Sequence, residues 1–169
     1  MDTVHELSDN EWASWRAFAL VSRRLASTVE ARLQRESGIS NADFEILQAL
    51  FHSPDSQTRA RDLADMLSWE KSRISHQVTR MVSRGLVDRA ECNEDLRGSW
   101  VRLTSAGQDA LAQALPHYSA AVRELYLANM GEEGAADFAR TALKIVESMS
   151  PSGCQAEIAD LERTVNGTA

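Results

Sequence analysis

The chain is poor in the residues that build covalent or metal-bound frameworks. Among its 169 residues are only two cysteines, Cys92 and Cys154, which lie far apart and in no metal-ligand spacing. This scarcity argues against a disulfide framework and fits a reducing cytoplasm. The four histidines are also scattered along the chain, at His5, His52, His76 and His117. We therefore expect no zinc site and no cofactor.

Long apolar runs and catalytic motifs are missing as well. No stretch approaches the roughly 18 apolar residues of a membrane span, and residues 1–10 do not resemble a secretory signal. We find no nucleophile–base arrangement, no phosphate-cradling glycine loop and no metal motif. We therefore expect a protein that is not an enzyme and has no membrane partner. With 43% hydrophobic residues, the chain can still bury a core.

Positive charge is scarce overall but concentrated in one region. The 25 acidic residues outnumber the 18 basic ones and give a net charge of −7. Residues 59–104 nevertheless hold nine basic and seven acidic groups, a net charge of +2, which leaves −9 for the rest. Phosphates respond to the field within roughly 8–10 Å, so an acidic protein can bind DNA through one basic face. An ordinary mixed surface would give the same counts.

What the chain does have is helical periodicity with clear stop signals. Apolar residues recur every three or four positions over 11–36, which predicts a helix about 39 Å long that ends at Gly38. Ser40, with Asp43 three residues on, predicts the start of a second helix. The first helix is longer than one small core requires, so we expect part of its apolar stripe to pack on a partner.

The rest of the chain divides at similar signals. Ser68 is the expected N-cap of a fourth helix that Gly85 ends, and Thr104 caps a fifth helix with a kink at Pro116 and an end at Gly131. The elements expected after the second helix are a short helix near 61–67, a helix over 69–84, strands over 86–91 and 99–103, and helices over 105–129 and 132–149.

This order predicts a mainly α protein with a small β-hairpin: a winged helix-turn-helix with long flanking dimerisation helices. The expected divisions are an N-terminal dimerisation helix (1–39), a winged helix-turn-helix DNA-binding domain (40–104), C-terminal dimerisation helices (105–150) and a tail (151–169).

The fourth helix has two contrasting faces. Ile74, Val78 and Met81 lie within about 60° of one another on a helical projection and form a core stripe. The opposite face has no carboxylate and consists of hydroxyls, a histidine and two arginines, Arg73 and Arg80. Arginine binds guanine edges or phosphate in pairs of hydrogen bonds. The face predicts a DNA reader, although a solvated polar face has a similar composition.

Each polar residue of this helix has an expected role. Arg73 and His76 are the best candidates for base contacts in the major groove, with Ser72 close by. Ser68 and the free N–H groups at the helix start would hold a phosphate. The two residues that would reach either bases or backbone are Gln77 and Arg80.

The hairpin has the composition of a wing. Arg97 stands at its tip beside Gly98, where it would enter a narrow, A·T-rich minor groove. Asp95 would orient an arginine or bond the loop backbone. A generic turn remains the alternative.

These residues resemble a known family. The run Asp95–Gly98, followed by Val101–Thr104 and Gly107, resembles the wing signature of the MarR family of bacterial regulators. Four further runs resemble one branch of that family: Leu63–Leu67, Lys71–Gln77, Arg80–Met81 and Arg84–Val87. The resemblance covers roughly residues 10–150, in the right order.

The resemblance implies a repressor that works as a homodimer on double-stranded DNA. Its first, fifth and sixth helices would form the dimer, and one reader helix per subunit would enter successive major grooves. Half-sites would lie about 34–36 Å apart on a near-palindrome. It also implies that Arg97 is the minor-groove residue of the wing and that Arg89 approaches a phosphate.

Many members of this family release DNA when a small aromatic acid, phenol or drug binds between the dimerisation helices and the winged domain. Trp12, Trp15, Arg16 and His117 would line such a pocket here, because an aromatic wall with a cation suits an aromatic anion. Alternatively, the tryptophans belong to the dimer core and Arg16 is a solvated charge.

Two other functions remain open. A winged-helix protein-interaction module would bind no DNA and would show apolar anchors on the fourth helix, where Trp69 is the one such residue. A thiol-oxidation sensor would use Cys92 at the start of the wing loop. The sensing cysteine of redox-sensing relatives usually lies near the N-terminus, where this chain has none.

Overall fold

The computed structural model describes residues 6–91 and 99–149. Its elements in chain order are α1 (Asp9–Ser37), α2 (Asn41–Phe51), a 3-10 turn (Pro54–Ser56), β1 (Gln57–Arg59), α3 (Ala60–Met66), α4 (Lys71–Ser83), β2 (Val87–Glu91), β3 (Ser99–Leu103), α5 (Ser105–Val122), a π-helical turn (Arg123–Leu127) and α6 (Ala128–Met149). The predicted mainly helical fold with a small sheet is confirmed. The wing loop with Cys92 and Arg97, and the tail 151–169 with Cys154, lie outside the described residues.

Local capping sets the ends of the first two helices. Ser8 caps α1 in a reciprocal pair with Glu11, whose carboxylate accepts the Ser8 N–H at 2.7 Å, so the helix starts two residues before the predicted position. It ends at Gly38, whose φ of +71° is a left-handed conformation that glycine adopts without strain. Ser40 and Asp43 form the predicted capping pair of α2.

The sheet has one strand more than the sequence predicts. It is antiparallel with the order β1-β3-β2, and Gln57 pairs with Arg102 while Val87 pairs with Leu103. β1 is only three residues long and polar, so it lacks the apolar alternation of a half-buried strand. Its partner lies more than 40 residues later in the chain, which no local pattern reveals.

The core lies inside the winged helix-turn-helix and reaches α1 and α5. Phe44 of α2 stacks on Tyr118 of α5 with ring centroids 4.4 Å apart. The fully buried side chains include Leu33, Phe44, Ile46, Leu47, Leu50, Leu63, Ile74, Val78, Met81, Val87 and Val101. α2 and α4 thus pack their apolar faces on the same core, and this packing determines which side of α4 faces the solvent.

The joint between β3 and α5 is tight. Thr104, the one residue between them, accepts the N–H of Gly107 at 3.0 Å and donates its hydroxyl to the carbonyl of Gly85 at 2.7 Å. A Cβ on Gly107 would lie 2.1 Å from the carbonyl oxygen of Leu86, so only glycine fits there. The predicted cap at Thr104 is confirmed.

The C-terminal helices differ in detail from the prediction. α5 continues through Pro116 and ends at Val122, earlier than the predicted end, because the π-helical turn Arg123–Leu127 follows it. The predicted break at Gly131 is confirmed by its φ of +67°. Within 6–91 and 99–149, no helix is long and apolar enough to cross a membrane.

Candidate DNA-binding interface

The turn before α4 differs from the sequence prediction. Ser68 does not cap the helix: it lies in the turn with φ +51°, and its N–H donates to the carbonyl of Asp65 at 3.2 Å. The N-cap is Glu70, which makes no side-chain capping bond. The turn between α3 and α4 requires a left-handed residue, and Ser68 takes that position, which removes its hydroxyl from the helix start.

The two faces of α4 are as different as predicted. Ile74, Val78 and Met81 are buried, whereas the polar residues of the opposite side are exposed. The exposed side chains from Lys71 to Arg80 are Lys71, Ser72, Arg73, Ser75, His76, Thr79 and Arg80. No aspartate or glutamate lies between Lys71 and Ser83, so the surface offers donors to an anionic partner.

Gln77 corrects the predicted contact set. It is only 4% exposed, and its Nε2 donates to Oδ1 of Asp43 at 2.7 Å, so its amide faces the core and not the exposed side of α4. Gln77 follows Ile74 by three residues, which places it about 60° from the centre of the buried stripe. The carboxylate that it meets lies 34 residues earlier in the chain and could not be expected from local spacing.

Arg73 is held by an aromatic ring that the sequence analysis left aside. Its guanidinium carbon lies 3.6 Å from the centroid of the Trp69 ring. A cation over an indole face is attracted by the ring, and the stack limits the rotamers of a long side chain. In the helix predicted over 69–84 the two residues are four apart, a spacing that could have indicated the contact, although α4 begins only at Lys71. Trp69 therefore holds Arg73 in a defined place on the outer face.

Arg89 of β2 lies against the same helix. Its Nη2 donates to the carbonyl oxygen of Ser75 at 3.0 Å and to Oγ1 of Thr79 at 3.2 Å. The residue that the family resemblance implied is therefore next to the exposed face of α4. Together, α4 and β2 present Lys71, Arg73, Arg80 and Arg89 on the exposed surface.

The four residues predicted to line a ligand pocket are not brought together. Nδ1 of His117 lies 3.0 Å from Oε2 of Glu36, near the last turn of α1. Trp12, Trp15 and Arg16 occupy the first turns of the same helix, and the 20 residues from Arg16 to Glu36 span about 30 Å. Trp12 and Trp15 are 45% and 57% exposed. The predicted set therefore forms no pocket within one chain.

A different cleft lies where α1, α2 and α5 meet. It has a volume of about 350 Å³, and its lining residues carry no formal charge: Ser22, Leu25, Ala26, Val29, Asn41, Tyr118, Val122 and Tyr126. Burial raises the pKa of the Tyr118 hydroxyl, and the nearby Glu45 carboxylate raises it further, so the phenol stays protonated at neutral pH. The cleft offers apolar walls with a few neutral polar groups.

Comparison with known proteins decides the family. A model of the MarR family matches residues 37–98. The crystal structure of AbsC, a MarR family transcriptional regulator from Streptomyces coelicolor, has a TM-score of 0.81 and 34% identity, over 86% of this chain and 98% of AbsC. The chain belongs to the MarR family. This confirms the resemblance seen in the sequence and the winged helix-turn-helix fold, and the relatives that this MarR-family chain matches are named transcriptional regulators.

Two further relatives extend the comparison. Sco3205, a MarR family regulator from the same organism whose structure was solved in complex with DNA, has a TM-score of 0.84 and 28% identity over 90% of this chain and 95% of Sco3205. The transcriptional repressor YetL of Bacillus subtilis is 34% identical over 92 residues, which are 53% of this chain and 55% of YetL. The match thus spans little more than half of this curated relative.

Proposed function

We propose that this MarR-family chain is a repressor that binds a near-palindromic operator as a homodimer, with α4 of each copy in a major groove. The observation that carries the proposal is the outer face of α4, which has arginines, hydroxyls and a histidine but no carboxylate. Sco3205 was solved in complex with DNA and YetL is named a repressor, which supports the same activity here.

The proposed contacts follow the exposed surface. Arg73 and His76 read base edges, with Ser72 beside them, because these three side chains project from the first half of α4. Arg80 and Arg89 contact the phosphate backbone from the flank of the helix. Arg97 in the wing reaches the minor groove, and Ser68 bonds a phosphate from the turn.

The long helices supply the dimer. Trp12, Trp15 and Phe18 in the first half of α1 are 45%, 57% and 48% exposed, and Ile145 and Met149 of α6 are exposed too. Such apolar surface is costly in water and is typical of an obligate interface. We assign dimerisation to residues 1–39 and 105–150 and DNA binding to 40–104.

A small aromatic or phenolic ligand would release the DNA. The cleft between α1, α2 and α5 is the place for it, because its walls are apolar and Tyr118 supplies a hydroxyl. A ligand there would favour the dimer state in which the two reader helices no longer match successive grooves. The protein would act in the cytoplasm, where its operator lies.

The test is selection of bound fragments from random duplex DNA, with the molar mass of the complex measured by light scattering. We expect one enriched near-palindrome bound by two chains, and release when suitable aromatic acids or phenols are added. A monomer, or a protein with no preference for any duplex at moderate salt, would contradict the proposal. The Arg73 guanidinium covers one face of the Trp69 ring, which leaves less apolar surface for a protein partner on this helix.

A further inference from the structure

A buried carboxylate ties α4 to the start of α2. Asp43 stands in the first turn of α2 and is 1% exposed. Its oxygens accept the N–H and the hydroxyl of Ser40, both at 2.9 Å, Nε2 of Gln77 at 2.7 Å and Nη1 of Arg84 at 2.7 Å. Four donors from three residues thus converge on one side chain.

The carboxylate is ionised in this position. Burial on its own raises the pKa of Asp43, but the backbone N–H of Ser40, the guanidinium of Arg84 and the Ser40 hydroxyl together outweigh it and lower the pKa below its ordinary value. A helix cap alone needs neither the arginine nor the buried amide. Because an apolar group would fill the same space with less desolvation, the additional bonds indicate a role in orientation.

The bonds to Asp43 are directional, whereas the apolar stripe of α4 is not. Ile74, Val78 and Met81 would keep most of their burial if the helix rotated slightly. Gln77 and Arg84 are seven residues apart, about 10 Å along the helix axis, and both donate to the one Asp43 carboxylate, so two positions along α4 are held to the same point. Arg84 also donates to the carbonyl oxygen of Gly38, the C-cap of α1, at 3.1 Å.

The same connection reaches the exposed face. The side-chain oxygen of Gln77, whose amide nitrogen is held by Asp43, accepts a hydrogen bond from Nη2 of Arg80. The chain of contacts therefore runs from the buried carboxylate through Gln77 to a residue that faces outward on α4.

We propose that Asp43 is a positioning residue that fixes the angle between α4 and α1, and thereby the half-site spacing that the dimer accepts. The inference rests on the proposed function, in which α1 joins the two copies and each α4 enters a groove. If α4 is loosened at Gln77 or Arg84, the reader helices should tolerate operators in which the half-sites are displaced.

The experiment measures a ratio of affinities in the full-length protein. The selected palindrome is compared with two duplexes that have one base pair inserted or removed at the centre, which displaces the half-sites along and around the DNA axis. We expect the wild type to prefer the selected spacing strongly and the variants to lose about tenfold of that preference. A lower fraction of folded protein changes both affinities equally and leaves the ratio unchanged.

Two variants keep the test independent of folding. Gln77→Met cuts the tie at similar volume, and the double variant Asp43→Asn, Arg84→Met removes both charges so that neither is left buried alone. Gln48→Met, at an exposed position of α2, is the matched control for the first. Asp109→Asn combined with Arg23→Met, at exposed positions of α5 and α1, is the matched control for the loss of one charge of each sign.

The outcomes separate the two proposals. If the wild type prefers no duplex, the proposed function fails and the role of Asp43 fails with it. If the wild type discriminates between spacings and both variants keep the same ratio while melting at lower temperature, only the positioning role is overturned. A reduced ratio in both variants, with unchanged controls, supports it.

Discussion

α4 and the first half of α1 are both amphipathic, but they direct opposite faces outward. α4 buries Ile74, Val78 and Met81 inside its own chain and exposes a polar side. α1 exposes Trp15 and Phe18, and its buried residues, Val29 and Leu33, stand in its second half. α4 offers hydrogen-bond donors to a polar, anionic partner, whereas α1 offers apolar area to an apolar partner. The outward face therefore indicates the partner better than the overall composition does.

The buried side of α4 should carry the largest effect. Met81→Ala removes a fully buried side chain and is expected to lower the free energy of unfolding by about 2–5 kcal/mol. The neighbouring Val82 is 37% exposed, so Val82→Ala should cost less than about 1 kcal/mol. Urea denaturation of the two variants measures the difference, and equal losses would contradict the assignment of the two faces.

The outward face of α1 is tested by association. Trp15→Ala should weaken the proposed dimer by about 2 kcal/mol, roughly thirtyfold in dissociation constant, because large aromatic anchors dominate interfaces. Sedimentation equilibrium measures the dissociation constant, and circular dichroism should show unchanged helix content. Arg23→Ala, at an exposed polar position of α1, is the control. An unchanged dissociation constant for Trp15→Ala would remove this face from the interface.

The outward face of α4 is tested by sequence preference. Arg73→Ala should cost about 1–3 kcal/mol of DNA binding and relax the preference at one position per half-site. Trp69→Ala should weaken the same preference by a smaller amount, because it removes only the stack that holds the guanidinium. Binding is compared across single-base variants of the selected operator. Uniform weakening on every sequence would make Arg73 a phosphate contact instead.

The smallest effect is expected in the turn before α4. Ser68 has φ +51°, a conformation that costs a residue with a side chain about 1 kcal/mol or more. Ser68→Gly should raise the melting temperature, because glycine adopts this conformation without strain. The increase should be small, because glycine also has greater conformational freedom in the unfolded chain. Ser75→Gly, at an exposed interior position of α4, should lower it. A lower melting temperature for Ser68→Gly would show that the turn is not strained.

The features that the sequence predicted well are those that depend on nearby residues. The capping pair of Ser40 and Asp43, the cap at Thr104 and the break at Gly131 all follow from spacings of a few residues. The two faces of α4 follow from one helical period. In each case the partner atoms belong to the same turn or the same helix, so the pattern is visible without the fold.

The features that it missed depend on distant partners. β1 forms because Gln57–Arg59 pairs with β3. Gln77 is buried because it donates a hydrogen bond to Asp43 on another helix. The predicted pocket does not form within one chain for the same reason. His117 meets Glu36 at one end of α1, while Trp12 stands at the other, and only the packing of α5 on α1 decides which residues meet.

The single residue between β3 and α5 has a mechanical consequence. Thr104 is hydrogen-bonded both to Gly85, before β2, and to Gly107 of α5, and Gly107 packs closely on the backbone of Leu86. These contacts leave little freedom of movement between the sheet and α5. A rotation of α5 that begins at its C-terminal end, near Val122, should therefore be transmitted to the sheet. Two or three residues inserted after Leu103 should uncouple the sheet from α5, so that each could rotate without the other.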